Sequence, residues 1–117
     1  MDKFSMTTPL TGEYFTTVRL AVGGICSLAG FDVDTAEDFK VCVTESLLIL
    51  KRNGYLSATV ELALGESLRC KVYGVEEGGE RVDGAENEIS RALLSALLGT
   101  VEFVADGEKL VSIVFEG

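Results

Sequence analysis

The sequence predicts an α+β fold, a two-layer sandwich with helices on one face of a mainly antiparallel sheet. Three observations carry it. Apolar residues recur at spacings of three and four in three segments, the period of a helix with one buried face. Two further segments alternate apolar and polar residues around turn signals, the mark of hairpins with one buried face. The segments run strand, helix, helix, hairpin, loop, helix, hairpin, an order that stacks helices against one sheet. With 117 residues, 47% of them apolar, the expectation is one domain over residues 1–117 with one core.

Residues 3–7 alternate briefly and suit an edge strand that Pro9 closes. From 11 to about 30, Tyr14, Phe15, Val18, Ala21, Val22, Ile25, Leu28 and Ala29 share one helical face. Gly23 and Gly24 sit in its middle, each costing ~1 kcal/mol relative to alanine, which a close helix or backbone approach would explain. A second helix begins at Asp34-Thr35-Ala36-Glu37, which has capping-box spacing. Phe39, Cys42, Val43, Ser46, Leu47 and Leu50 form its inner face, and Asn53-Gly54 stops it. Leu56, Ala58, Val60, Leu62 and Leu64 then alternate as the buried side of a strand. Gly65-Glu66 turns the chain into a second strand that buries Leu68, Cys70 and Val72. Residues 74–84 read as a polar, glycine-rich loop. A third helix to about 98 is expected to bury Ile89, Ala92, Leu93, Ala96 and Leu97 and to end at Gly99. Asp106-Gly107 joins the last two strands.

Composition removes several functions. Nineteen acidic residues against ten basic ones give a charge of −9, and no Lys/Arg cluster offers a nucleic-acid or anionic membrane surface. No apolar run approaches the ~18–20 residues of a membrane span. The first residues lack the basic and apolar regions of a signal peptide, so the expected location is cytoplasmic. Cys26, Cys42 and Cys70 are odd in number and lie in apolar surroundings, as reduced core thiols do. Histidine is absent, which excludes Ser-His and Cys-His nucleophile chemistry and the commonest zinc ligand.

Residues 13–45 carry a further signal: Glu13-Tyr14, Val18-Arg19-Leu20, Gly30-Phe31, Glu37-Asp38, Lys40-Val41 and Thr44-Glu45. In type and spacing they resemble the first two helices of the anti-sigma-factor serine kinases, a bacterial branch of the GHKL (histidine-kinase-like) ATPases with the Bergerat fold. The resemblance implies a Mg-ATP site built from four features. They are a helix glutamate as general base, an asparagine one turn later for Mg²⁺, an aspartate after the second hairpin strand for adenine, and glycines opening the last helix for the phosphates.

One of the four matches. Glu45 stands where the general base belongs. The Mg²⁺ position, four residues on and on the same helix face, is Ile49, which offers no oxygen to a hard cation. Gly74 falls at the adenine aspartate, with Glu76 and Glu77 as substitutes only if the segment bulges. Glu86-Asn87-Glu88 precede Ile89 where phosphate-loop glycines are expected, and Glu88 there repels a triphosphate. The lid implied by the family is shortened to about residues 74–84. The acidic run Glu76, Glu77 and Glu80 reads as solvated loop rather than metal site.

The resulting expectation is a degenerate, pseudokinase-like regulator that acts by protein–protein contact, with Glu45 as a remnant and no cofactor. By resemblance its partners are a sigma factor, an anti-anti-sigma-like antagonist and a second copy in a homodimer, in a partner-switching pathway. Two alternatives stand beside it. One is an active ATP-dependent serine kinase with Glu45 as base. The other is a module binding a small ligand in a pocket made more apolar by Ile49.

Overall fold

The computed structural model describes residues 2–82, 85–98, 100–107 and 109–117. These form β1 (Asp2–Pro9), α1 (Gly12–Leu28), α2 (Val33–Arg52), β2 (Asn53–Leu64), β3 (Leu68–Arg81), α3 (Ala85–Leu98), β4 (Val101–Asp106) and β5 (Lys109–Glu116). The strands make a five-stranded sheet in the order β1-β2-β3-β5-β4, every pair antiparallel. The architecture is α+β, with the predicted edge strand in place.

The core lies between the helices and one sheet face. Leu62, Cys70, Phe115 and Val101 stand abreast across four strands, and the first three are buried. Alternate positions Glu61, Lys71, Val114 and Glu102 point to the opposite face, as the two-residue period of a strand requires. Phe39 from α2 meets Phe31 and Phe115 edge-to-face at centroid distances of 5.7 and 5.2 Å. The predicted inner face of α2 is buried throughout, and Ile49 joins it. All three cysteines are free and buried.

Helix α1 ends on Gly30, whose φ of 77° is open to glycine, while Phe31 N–H donates to the Cys26 carbonyl across the turn. Its buried residues are Val18, Val22 and Cys26. Tyr14 and Leu28, expected inside, are exposed. Helix α2 is capped by Asp32 rather than through a box at 34–37: the Thr35 N–H donates to Asp32 Oδ1 at 2.7 Å.

Three more expectations need correction. Residues 74–81 are strand, not loop, because they pair with the start of β2 through Asn53↔Arg81, Tyr55↔Glu77, Ser57↔Glu76 and Ala58↔Gly74. The described pairing of β3 with β5 stops at Tyr73, so this extension keeps one edge open to water and has a polar composition. Register shifts along the same stretch turn Tyr55 inward and leave Leu56 exposed, reversing the face expected from simple alternation. Helix α3 is rotated from its predicted register: Ser90 and Leu94 are buried and Ile89 is 66% exposed. A serine on the inner face concealed that register from an apolar count. Gly99, expected to end α3, lies outside the described residues, as do Asp83 and Gly84 of the predicted loop.

Candidate functional site

Glu45 lies on the side of α2 that faces α3, half-buried. Ser90 Oγ donates to Glu45 Oε2 at 2.6 Å. Arg52 Nη1 in turn donates to Ser90 Oγ at 2.9 Å and to the Glu86 carbonyl at 3.3 Å. Seven residues separate Glu45 from Arg52, nearly two turns, so both lie on one face of α2 and reach the same serine. The chain Arg52–Ser90–Glu45 fastens the two helices together. A carboxylate that already accepts a short hydrogen bond from a buried hydroxyl is oriented by that bond.

Ile49 does not line an opening beside Glu45. Its side chain is fully buried in the core with Leu47, Leu50 and Leu94. Its carbonyl accepts from Asn53 Nδ2 at 2.9 Å, and Asn53 Oδ1 accepts from the Leu110 N–H at 3.4 Å. Asn53 thus closes the end of α2 and ties it to β5.

At Gly74, a Cβ would lie 2.3 Å from two carbons of the Tyr55 ring. That distance leaves no room for any side chain while Tyr55 holds its place. Lys109 Nζ sits 4.5 Å from the centroid of the same ring and forms an ion pair with Glu77 at 2.8 Å. Glu77 is therefore engaged at its own strand position, opposite Tyr55. Among the described residues, no group of three or more Asp, Glu or Cys converges as a metal site. Glu86 and Glu88 occupy the first turn of α3, and Asn87 Oδ1 is buried without a hydrogen-bond partner among the described residues.

The structure brings Glu45 together with α3 but separates Ile49 and Gly74 from any common opening, the first in the core and the second under an aromatic ring. Sequence reading missed Ser90, Arg52 and Tyr55. The seven-residue spacing of Glu45 and Arg52 was the available signal for the first pair. Tyr55 had none, since its inward turn depends on the bulged pairing of β2 with β3.

The thiols report the same packing. Burial pushes the Cys42 thiol up to about 12, with the carboxylates of Asp38 and Glu45 adding to the effect. Burial raises Cys70 well above its ordinary range and raises Cys26, the latter partly offset by Lys40. These are inert core thiols rather than nucleophiles. No helix among the described residues is long and apolar enough to cross a membrane.

No family model matches the chain. Among curated proteins it matches the serine-protein kinases RsbW of Bacillus thuringiensis (strain Al Hakam), Bacillus cereus (strain AH187) and Bacillus anthracis, each 27% identical over 89 residues. The chain is distantly similar to these kinases. The matched stretch covers 76% of this chain and 51% of each relative, so the chain spans about half the length of the curated relatives it matches. The similarity supports the family that residues 13–45 suggest, and the five-stranded sheet with three helices is consistent with its fold.

Proposed function

We propose that this chain is a regulatory protein of the anti-sigma type that works by protein–protein contact and neither binds Mg-ATP nor transfers phosphate. Distant similarity to serine-protein kinases supports the regulatory lineage. The observation that best supports a chain without nucleotide is the Tyr55 ring over Gly74, the position the resemblance aligns with the family's adenine-binding aspartate. Ile49 in the core and Glu86 and Glu88 at the start of α3 point the same way. Glu45 is retained as the acceptor that holds Ser90, a structural task that outlasts catalysis. The partners proposed are a sigma factor and an anti-anti-sigma-like antagonist in a cytoplasmic partner-switching pathway.

Calorimetric titration with Mg-ADP and Mg-ATP to millimolar concentration tests the reading, together with phosphotransfer to a serine-bearing antagonist domain. The expected result is no saturable heat and no transfer. Saturable binding with transfer abolished by Glu45→Gln would replace this reading with that of an active serine kinase.

A further inference from the structure

The end of α2, the turn before α1 and the far end of the β2–β3 hairpin frame a cleft of about 480 Å³, a volume ordinary for small-molecule sites. It is not an opening beside Ile49, whose side chain is sealed in the core. Its apolar lining comes from Leu10, Leu48, Tyr55, Leu56 and Val82. Leu10 and Tyr55 are buried, whereas Leu56 and Val82 are 46% and 51% exposed. The bulged pairing that turns Tyr55 inward leaves Leu56 in this cleft. Two large apolar side chains gathered at one concave opening, rather than scattered singly, mark a place where something apolar binds.

The polar lining has a sign. Lys51 and Arg52 line the cleft against one carboxylate, Glu80, in a chain whose net charge is −9. Lys51 makes no ion pair or hydrogen bond among the described residues, and Glu80, exposed, pairs with neither base. Arg52 engages Ser90 and the Glu86 carbonyl through Nη1 alone, which leaves the donors of Nε and Nη2. Bases in the last turn of a helix ordinarily serve its free carbonyls. Those of α2 are already served. The Asn53 N–H reaches the carbonyls of Ile49, Leu50 and Lys51, and the Val82 N–H donates to the Arg52 carbonyl at 2.7 Å. The Tyr55 hydroxyl, from the same lining, also makes no hydrogen bond among the described residues. Uncommitted donors beside apolar walls call for an acceptor that carries an apolar body.

We infer that this cleft binds a small amphipathic monoanion, an apolar chain or ring ending in one carboxylate. The apolar part lies against Leu10, Leu48, Leu56 and Val82, and the carboxylate is held by Lys51 and Arg52 through charge-assisted hydrogen bonds. A single negative charge suits the lining, in which two bases exceed one carboxylate by one. Glu80 opposes a polyanion, so the cleft discriminates against a triphosphate. A ligand seated there bridges the start of α1, the end of α2 and the hairpin, and acts as an effector of whatever surface those elements present. The inference goes beyond the contact-based reading and does not depend on it.

The test uses the whole chain, with 8-anilinonaphthalene-1-sulfonate as fluorescent reporter and decanoate as displacing ligand. Decanoate is expected to displace the reporter saturably, with a dissociation constant on the order of 10–100 μM, and to raise the melting temperature. Decyltrimethylammonium, of equal chain length and opposite charge, should not displace it. Lys51→Glu should weaken decanoate more than about tenfold, since it turns attraction at the head into repulsion, while Lys51→Arg should retain binding. Leu56→Asp should abolish it. Both positions are exposed, so each variant should keep the wild-type far-ultraviolet spectrum and a cooperative melt. No saturable displacement by millimolar decanoate overturns the proposal, as does equal displacement by the cation or binding unchanged in Lys51→Glu and Leu56→Asp. Displacement of the reporter by Mg-ATP would assign the cleft to nucleotide and overturn both this proposal and the reading without nucleotide. Failure with decanoate and Mg-ATP alike would overturn this proposal alone.

Discussion

The α2–α3 seam and the far end of the β2–β3 hairpin hold their charged side chains in different ways. In the seam Glu45 accepts a hydrogen bond from Ser90, itself held by Arg52. At the hairpin end Gly74 lies under the Tyr55 ring, and the Lys109 ammonium group sits over that ring and pairs with Glu77. The seam fixes a carboxylate by hydrogen bonds, whereas the ring over Gly74 leaves no room for a Cβ, so the two regions differ in what a substitution would cost.

The strongest way to break this comparison is to place polar side chains at Ile49 and Gly74. Ile49→Asn places an amide in a fully buried apolar site and should destabilise the fold by roughly 3–4 kcal/mol through lost packing and an unpaired polar group. Urea denaturation measures it. A stable variant that gains Mg-ATP binding would show Ile49 to be the only barrier. Gly74→Asp should cost about 2–3 kcal/mol through overpacking against Tyr55, with much of the loss recovered when Tyr55→Ala is added. Equal destabilisation with and without Tyr55 would separate the two residues energetically.

Alkaline titration sharpens the Glu45 side. The folded state holds the thiols of Cys42 and Cys70 above their ordinary range. As pH rises past about 8.5 the unfolded chain loses thiol protons that the folded chain retains. Stability is therefore full below that pH and falls as pH climbs toward 12, with a limiting slope of about 1.4 kcal/mol per pH unit for each thiol. Urea midpoints at pH 8 and 10 test the sign, and rising stability would contradict it. Ser90→Ala has the smallest expected effect, about 1 kcal/mol, for a hydrogen bond lost from Glu45 and from Arg52.

Much of the fold was legible because long periodic segments dominate it. Phe39, Cys42, Val43, Leu47 and Leu50 announce the buried side of α2, and all are buried. Much of what was not legible involves polar or glycine residues placed by tertiary contacts, or a register that alternation does not reveal. Ser90 on the inner face of α3 shifts that helix away from its apolar register. Gly78 and Gly79 suggest a loop, yet the chain there is paired, with Gly79 so close to the Gly54 carbonyl that a Cβ would lie 3.0 Å away. Tyr55 appears to alternation as an outward residue until the bulged register turns it inward. For the site, the sequence gives residue types at the positions the resemblance implies, while the contact of Tyr55 with Gly74, nineteen positions apart, is visible only in the structure.

A thermal melt with and without millimolar Mg-ATP and Mg-ADP tests the central claim most directly. A ligand at 100 times its dissociation constant adds about 2.7 kcal/mol to the folded state, a shift of several degrees for a domain this size. The account predicts no shift with either nucleotide, because Tyr55 occupies the space over Gly74 and Ile49 is sealed in the core. A saturable rise of several degrees, lost in Glu45→Ala, would contradict it.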